Sequence, residues 1–145
     1  MTKLLTDLQK KLVALTRDLI MIPSDESRPD DIDRCFEFII NHLESLDTVD
    51  IKKHYHRGIT SLIVLPKNMD HPEILLCGHL DVITHADSNC YHSHITDGKI
   101  IGPGAGDMKG PLAVLLEVFI NLHMKYENIS LGLAITSDEE RGGDA

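Results

Sequence analysis

Between Glu73 and Cys77 the chain runs Ile74-Leu75-Leu76 with no polar interruption, and Gly78-His79-Leu80-Asp81 follows at once. An apolar run this short reads as a strand, of the kind that is buried on both faces. Such strands belong to sheets covered by helices, so this stretch points to a layered α/β fold. The flanking pattern agrees. From Thr2 to about Met21, Leu4, Leu5, Leu8, Leu12, Leu15, Leu19 and Ile20 recur at helical spacing, with Lys and Asp on the other face. Ile22-Pro23-Ser24 ends that helix, because the residue before a proline is pushed out of the helical region.

Ser27-Arg28-Pro29-Asp30 predicts the start of a second helix, with a Ser cap, an early Pro and Asp30, Asp31 and Asp33 in the first turn. Its core face is Ile32, Phe36, Ile39, Ile40 and Leu43. Val49 to His56 alternates weakly and reads as an edge strand that exposes His54 and His56. Ser61 to Leu65 is a short apolar strand stopped by Pro66. A polar loop runs from Thr84 to His94, and Asp97-Gly98 predicts a hairpin turn. A helix from about Lys109 to Met124 and a strand from Ser130 to Thr136 complete the pattern. No internal repeat or low-complexity segment interrupts it.

Three clusters carry the chemistry. They are Gly78-His79-Leu80-Asp81-Val82, Gly104-Ala105-Gly106-Asp107-Met108-Lys109-Gly110, and Asp138-Glu139-Glu140-Arg141-Gly142-Gly143. In open α/β sheets ligands gather at the carboxyl ends of strands. His79 and Asp81 follow one predicted strand, and Glu139 and Glu140 follow another. If the two strands run parallel, they deliver His and carboxylates to one edge. Asp107 lies on a glycine-rich turn that opens a helix, where backbone approaches closely and negative charge is tolerated. His with carboxylates and no nearby thiolate suits zinc or a similar divalent ion. Asp81, two residues from His79, is placed to orient its imidazole.

Composition excludes other classes. The net charge of −9 argues against a general nucleic-acid surface, which needs clustered Lys and Arg. Lys3, Asp7, Lys10, Lys11, Arg17 and Asp18 break up the N-terminal apolar positions, so they form neither a signal peptide nor a membrane span. Cys35, Cys77 and Cys90 show no paired spacing, which suggests a reducing, cytoplasmic setting. Cys77 reads as a small core residue. Cys90, His92 and His94 read as solvated loop residues, and His123 as a surface residue near a helix C-terminus.

The three clusters resemble those of the co-catalytic zinc metallopeptidase and amidohydrolase family, which includes aminoacylase, acetylornithine deacetylase, succinyl-diaminopimelate desuccinylase, carboxypeptidases and dipeptidases. All three occur in the family's order, and the resemblance extends back to Ile22-Pro23-Ser24. The chain departs from the usual pattern at Pro103, where Arg is common, and at Pro111, where Gly is common. It also lacks the Trp common in the loop after the first motif.

The resemblance implies a layered α/β/α catalytic domain holding two zinc ions, with Co or Mn as alternatives. It implies that His79, Asp107 and Glu140 are metal ligands, Asp107 bridging the two ions. Asp81 would support His79, Glu139 would be the general base, and the Asp107–Met108 peptide would be cis. It further implies hydrolysis of an amide in a small N-acyl amino acid or short peptide by a zinc-bridging water, in the manner of a deacetylase or desuccinylase. A dipeptidase or carboxypeptidase is the alternative within this chemistry. Lys109 fits the family pattern and equally fits a surface lysine at a helix start.

Residues 1–145 are expected to be the N-terminal portion of the catalytic domain, inactive alone. The lid domain, through which the longer protein would dimerise, and the C-terminal catalytic portion would lie outside them. The reading from another class is a truncated, non-catalytic binding or regulatory module.

Overall fold

The computed structural model describes residues 5–143. Helix α1 (Asp7–Ile20) begins at a capping box: the Thr6 hydroxyl accepts the Gln9 amide at 3.2 Å, and the Gln9 side chain accepts the Thr6 amide at 2.9 Å. The predicted start of this helix, Thr2 to Leu4, lies outside the described residues. Helix α2 (Pro29–Leu43) starts with Pro29 in its first turn, as expected, but Ser27 does not cap it. Arg28 holds the cap position, and the Ser27 hydroxyl instead donates to the buried Asp25 carboxylate at 2.5 Å. Ser27 thus lies one residue outside the cap position, and its hydroxyl takes a charge-assisted bond instead.

Strands β1 (Val49–His56) and β2 (Ile59–Pro66) form a hairpin around Arg57-Gly58, both at positive φ. Strand β3 (Ile74–His79) leads into the polar loop, which contains a single 3-10 turn at Ser88–Tyr91. A second, small hairpin of β4 (His94–Thr96) and β5 (Lys99–Ile101) turns at Asp97-Gly98, as the sequence predicts. Both turn residues have positive φ, 50° and 73°, as a two-residue primed turn requires. Helix α3 (Lys109–Lys125) and strand β6 (Leu131–Thr136) follow.

The main sheet has the order β1-β2-β6-β3. Strand β6 lies antiparallel to β2 and parallel to β3, in a ladder running from Ile74 opposite Leu131 to His79 opposite Thr136. One sheet face, with Leu62, Val64, Leu133 and Ile135 fully buried, packs against residues of all three helices, including Leu19, Phe36, Ile39, Leu112, Leu116 and Phe119. Each such side chain contributes roughly 1.5–3 kcal/mol by leaving water. The layered α/β class read from the sequence is the one the chain adopts.

The fold corrects one expectation about β3. Among the described residues it is an edge strand, with Ile74 58% and Leu75 47% exposed and Cys77 exposed as well. Only β6 pairs with it. Its continuous apolar run therefore reflects one face on α3 and another that Leu65 and Pro72 cover only in part.

Candidate metal centre

Because β3 and β6 run parallel, their carboxyl ends lie side by side, and the main-chain bond from Leu80 N–H to Thr136 O (3.0 Å) carries the ladder one step past His79. His79 is 5% exposed. Its Nδ1 lies 3.1 Å from the Asp81 main-chain oxygen and 3.4 Å from Asp81 Oδ1. A carbonyl oxygen only accepts, so Nδ1 carries the hydrogen. The other nitrogen, Nε2, faces two carboxylates, with Asp107 Oδ1 at 3.2 Å and Glu139 Oε2 at 3.8 Å. A lone pair facing two carboxylates is a place that favours a bound cation. That is the arrangement a metal-binding imidazole has when its far nitrogen is tied to a carboxylate or carbonyl.

Asp81 does more than orient the ring. It is 3% exposed, and its Oδ2 accepts the main-chain N–H of Glu140 at 3.0 Å. Its Oδ1 is buried without a hydrogen-bond partner among the described residues. The 3-10 turn Glu139–Arg141 is closed by Gly142, at φ 101°, whose N–H reaches Glu139 O at 3.0 Å. Gly143 N–H bonds to Asp138 O, also at 3.0 Å. A left-handed residue is what this exit requires, and glycine supplies it without a Cβ clash. Adjacent Glu139 and Glu140 are thereby fixed against His79, and donor atoms of these three residues lie within 4.8 Å of one another.

Asp107 arrives from the opposite side, on the turn before α3. The Asp107–Met108 peptide is cis, as the resemblance implies. Met108 sends its thioether beneath β3, where Sδ accepts the His79 N–H at 3.2 Å and the side chain rests against Gly78. The Asp107 carboxylate meets His79 but stands outside the group of three that converge fully, and its side chain is 81% exposed. Burial holds the Glu140 carboxyl above its ordinary value, and the charges of Asp107, Glu139 and Asp81 push it the same way against the pull of His79. One imidazole among crowded carboxylates, with no thiolate, is a donor set that fits zinc or a similar divalent cation.

A cavity of about 700 Å³ opens beside Asp107 and Glu140. Its walls are the Gly102–Gly106 turn and the loop bearing His85, Cys90, His92 and His94. That volume suits a small-molecule ligand.

Several residues around the site escaped the sequence reading. Lys109 is fully buried, and its ammonium donates to the main-chain oxygens of Leu19, at 2.9 Å, and Ile22. Burial pulls it down to about 8. Ser24 donates to Leu80 O at 2.6 Å, and Asp25 accepts the Tyr91 hydroxyl at 2.9 Å. The available signal was Pro23, which ends α1 and sets a tight turn there, with its carbonyls open to a further donor. His123 is buried too, bonded to Leu131 O at 3.0 Å, and is not the surface residue expected.

Residues 75–145 match the family model of Peptidase family M20/M25/M40. Among curated proteins, the succinyl-diaminopimelate desuccinylase of Nitrosomonas europaea is 34% identical over 134 residues, covering 87% of this chain and 35% of that protein. The chain belongs to the M20/M25/M40 peptidase family. The desuccinylase of Sulfurimonas denitrificans is 31% identical over 126 residues, covering 85% of the chain and 33% of that protein. This M20/M25/M40 chain thus spans about a third of the length of the curated relatives it matches.

Solved structures share its fold. Human carnosine dipeptidase 1 superposes with a TM-score of 0.75 at 21% identity, covering 94% of the chain and 33% of that structure. The M20 family metallo-carboxypeptidase Sso-CP2 from Sulfolobus solfataricus gives 0.74 at 19% identity, covering 91% and 32%.

Proposed function

We propose that these residues are the N-terminal portion of the catalytic domain of a metal-dependent amide hydrolase acting on a small N-acyl amino acid or short peptide. The observation that carries the reading is His79. Its Nδ1 is fixed by Asp81 and its Nε2 points at Asp107 and Glu139. His79, Asp107 and Glu140 would hold the metal, two zinc ions in the full site, with Asp107 shared between them.

When bound, zinc would supply Lewis-acid chemistry, polarising the scissile carbonyl and making water a stronger acid. The protein residues do the rest. Glu139, exposed at the edge of the cluster, accepts the proton of the attacking water and returns it to the leaving amine. Asp81 keeps the His79 ring from turning and holds the Glu139–Arg141 turn in place. The cavity beside Asp107 and Glu140 receives the substrate and limits its size. Desuccinylation or deacetylation is favoured by the two desuccinylases at 31–34% identity. Peptide cleavage is the second reading, supported by the dipeptidase and carboxypeptidase folds.

Free Cys35, Cys77 and Cys90 suit a reducing cytoplasm. No helix among the described residues is long and apolar enough to cross a membrane.

The test uses the longer protein of which we propose this chain is part. Glu139→Ala should lower turnover of an N-succinyl or N-acetyl amino acid by about 10²–10⁴-fold while zinc content stays near wild type. Loss of zinc together with activity would make Glu139 a ligand. Absence of zinc-dependent hydrolysis in the wild type, with acyl amino acids and dipeptides alike, would leave the non-catalytic binding module as the better account.

A further inference from the structure

We infer that the turn joining α1 to α2, residues 19–25, is a positioning element that sets the loop of His79 against the loop of Asp107, acting through Ser24 and Lys109. The inference rests on reading His79 and Asp107 as a functional pair.

The Asp107 side chain is mostly in solvent, so its place against His79 comes from its backbone. Two residues on, Lys109 is fully buried, and both its hydrogen bonds go to main-chain oxygens at the end of α1, those of Leu19 and Ile22. Each of those carbonyls also accepts a main-chain amide, Leu19 O from Ile22 at 3.1 Å and Ile22 O from Ser24 at 2.9 Å, so the ammonium takes the remaining acceptor capacity of a turn already fixed by its own bonds. A buried ammonium is tolerated only where its partners are well placed, so this contact fixes the chain at residue 109 closely. A solvated lysine would start α3 equally well, and it would leave the Asp107 turn with its Met108 contact to β3 but no tie to the end of α1.

The same turn grips the His79 side. The Ser24 hydroxyl donates to Leu80 O at 2.6 Å, and Ser24 O accepts the Val82 N–H at 3.1 Å. These bonds bracket Asp81 and begin one residue after His79. Asp25 extends the grip to the cavity wall, accepting from Tyr91 at 2.9 Å and from Thr84 at 3.5 Å. One short turn therefore holds the His79 loop, the Asp107 loop and a wall of the cavity. The 3.2 Å meeting of His79 Nε2 with Asp107 depends on all of these bonds being made to a common anchor.

The readout is the ring-nitrogen resonances of His79 in long-range ¹H–¹⁵N spectra, recorded without metal, beside urea unfolding of each variant. Asp107→Asn sets the displacement expected when the pairing is lost. Lys109→Met, matched in length but without donors, and Ser24→Ala should move the His79 resonances in that same direction. Ile39→Val, a core change on α2 that removes none of these hydrogen bonds, should lower stability and leave the ring unmoved. If Lys109→Met does not fold, Ser24→Ala decides alone.

Wild-type resonances in folded Ser24→Ala and Lys109→Met would reduce both residues to ordinary packing and overturn the inference. If Asp107→Asn itself leaves the ring unmoved, the His79–Asp107 pairing fails, and the proposed function loses its main support along with the inference.

Discussion

The Asp81 carboxylate lies beside the His79 ring through one oxygen and accepts the main-chain N–H of Glu140 through the other, at 3.0 Å. A single buried side chain thus ties the end of β3 to the turn after β6. Asp81→Ala keeps the main-chain bond to His79 Nδ1 but removes the carboxylate beside the ring and leaves the Glu140 N–H unpaired, at a cost of about 1–3 kcal/mol. Zinc affinity should fall by roughly 10–100-fold. Asp81→Asn keeps an oxygen for Glu140 and should recover most of the stability but not the affinity. Urea unfolding and competition titration with zinc separate the two effects. Wild-type zinc affinity in both variants would remove Asp81 from the site.

Gly110 lies in the first turn of α3, beside the Asp107 turn, where an added Cβ would lie 2.3 Å from the main-chain oxygen of Ala105. Backbone cannot yield as a side-chain tip does. Gly110→Ala should destabilise by about 1–3 kcal/mol, despite alanine's better helix propensity. A thermal midpoint equal to or above the wild type would show that the turn relaxes without cost.

His123 is buried against Phe119, ring centroids 4.3 Å apart, with Nε2 bonded to Leu131 O. Burial lowers its pKa from the ordinary 6.5, more than the bond to Leu131 O raises it. With the folded value depressed, the unfolded chain takes up a proton first as pH falls. The neutral ring's contribution is whole above 6.5 and is lost as pH drops through the folded value. Stability measured by urea unfolding should therefore fall between pH 7 and pH 5, and His123→Leu should flatten that part of the profile. An unchanged slope in the variant would assign the acid sensitivity elsewhere.

Among the described residues strand β3 presents an unpaired outer edge, with Ile74 58% exposed. An apolar edge of this kind recruits other chains. The 145-residue chain should self-associate with rising concentration, and Ile74→Lys should suppress the association without lowering the unfolding free energy by more than about 0.5 kcal/mol. Light scattering across a concentration series checks both. A monodisperse wild type would mean the edge is blunted already.

The elements and the residues of the candidate site were legible because their signals are local. Leucines at helical spacing mark α1, Asp97-Gly98 marks the small hairpin, and His79, Asp107 and Glu139-Glu140 each follow a strand or a glycine turn. What escaped depends on distant partners. Lys109 looks like any helix-start lysine until it meets carbonyls 87 and 90 residues earlier in the chain. Ser27 carries every local mark of a cap, yet the Asp25 carboxylate two residues before it takes its hydroxyl. Ile74-Leu75-Leu76 reads as doubly buried because hydrophobicity reports what a strand can cover, not how far these residues cover it.

The parallel ladder from Ile74–Leu131 to His79–Thr136 also acts as a ruler. Side chains alternate faces along each strand, so deleting one residue within β3 or β6 would turn the following side chain to the opposite face and carry it off the shared edge. Insertions between Lys67 and Glu73, or at the tip of the small hairpin, would leave the ruler untouched. Length variation in descendants of this sequence should therefore collect in those loops, while the number of residues between Ile74 and Asp81, and between Leu131 and Glu140, stays fixed.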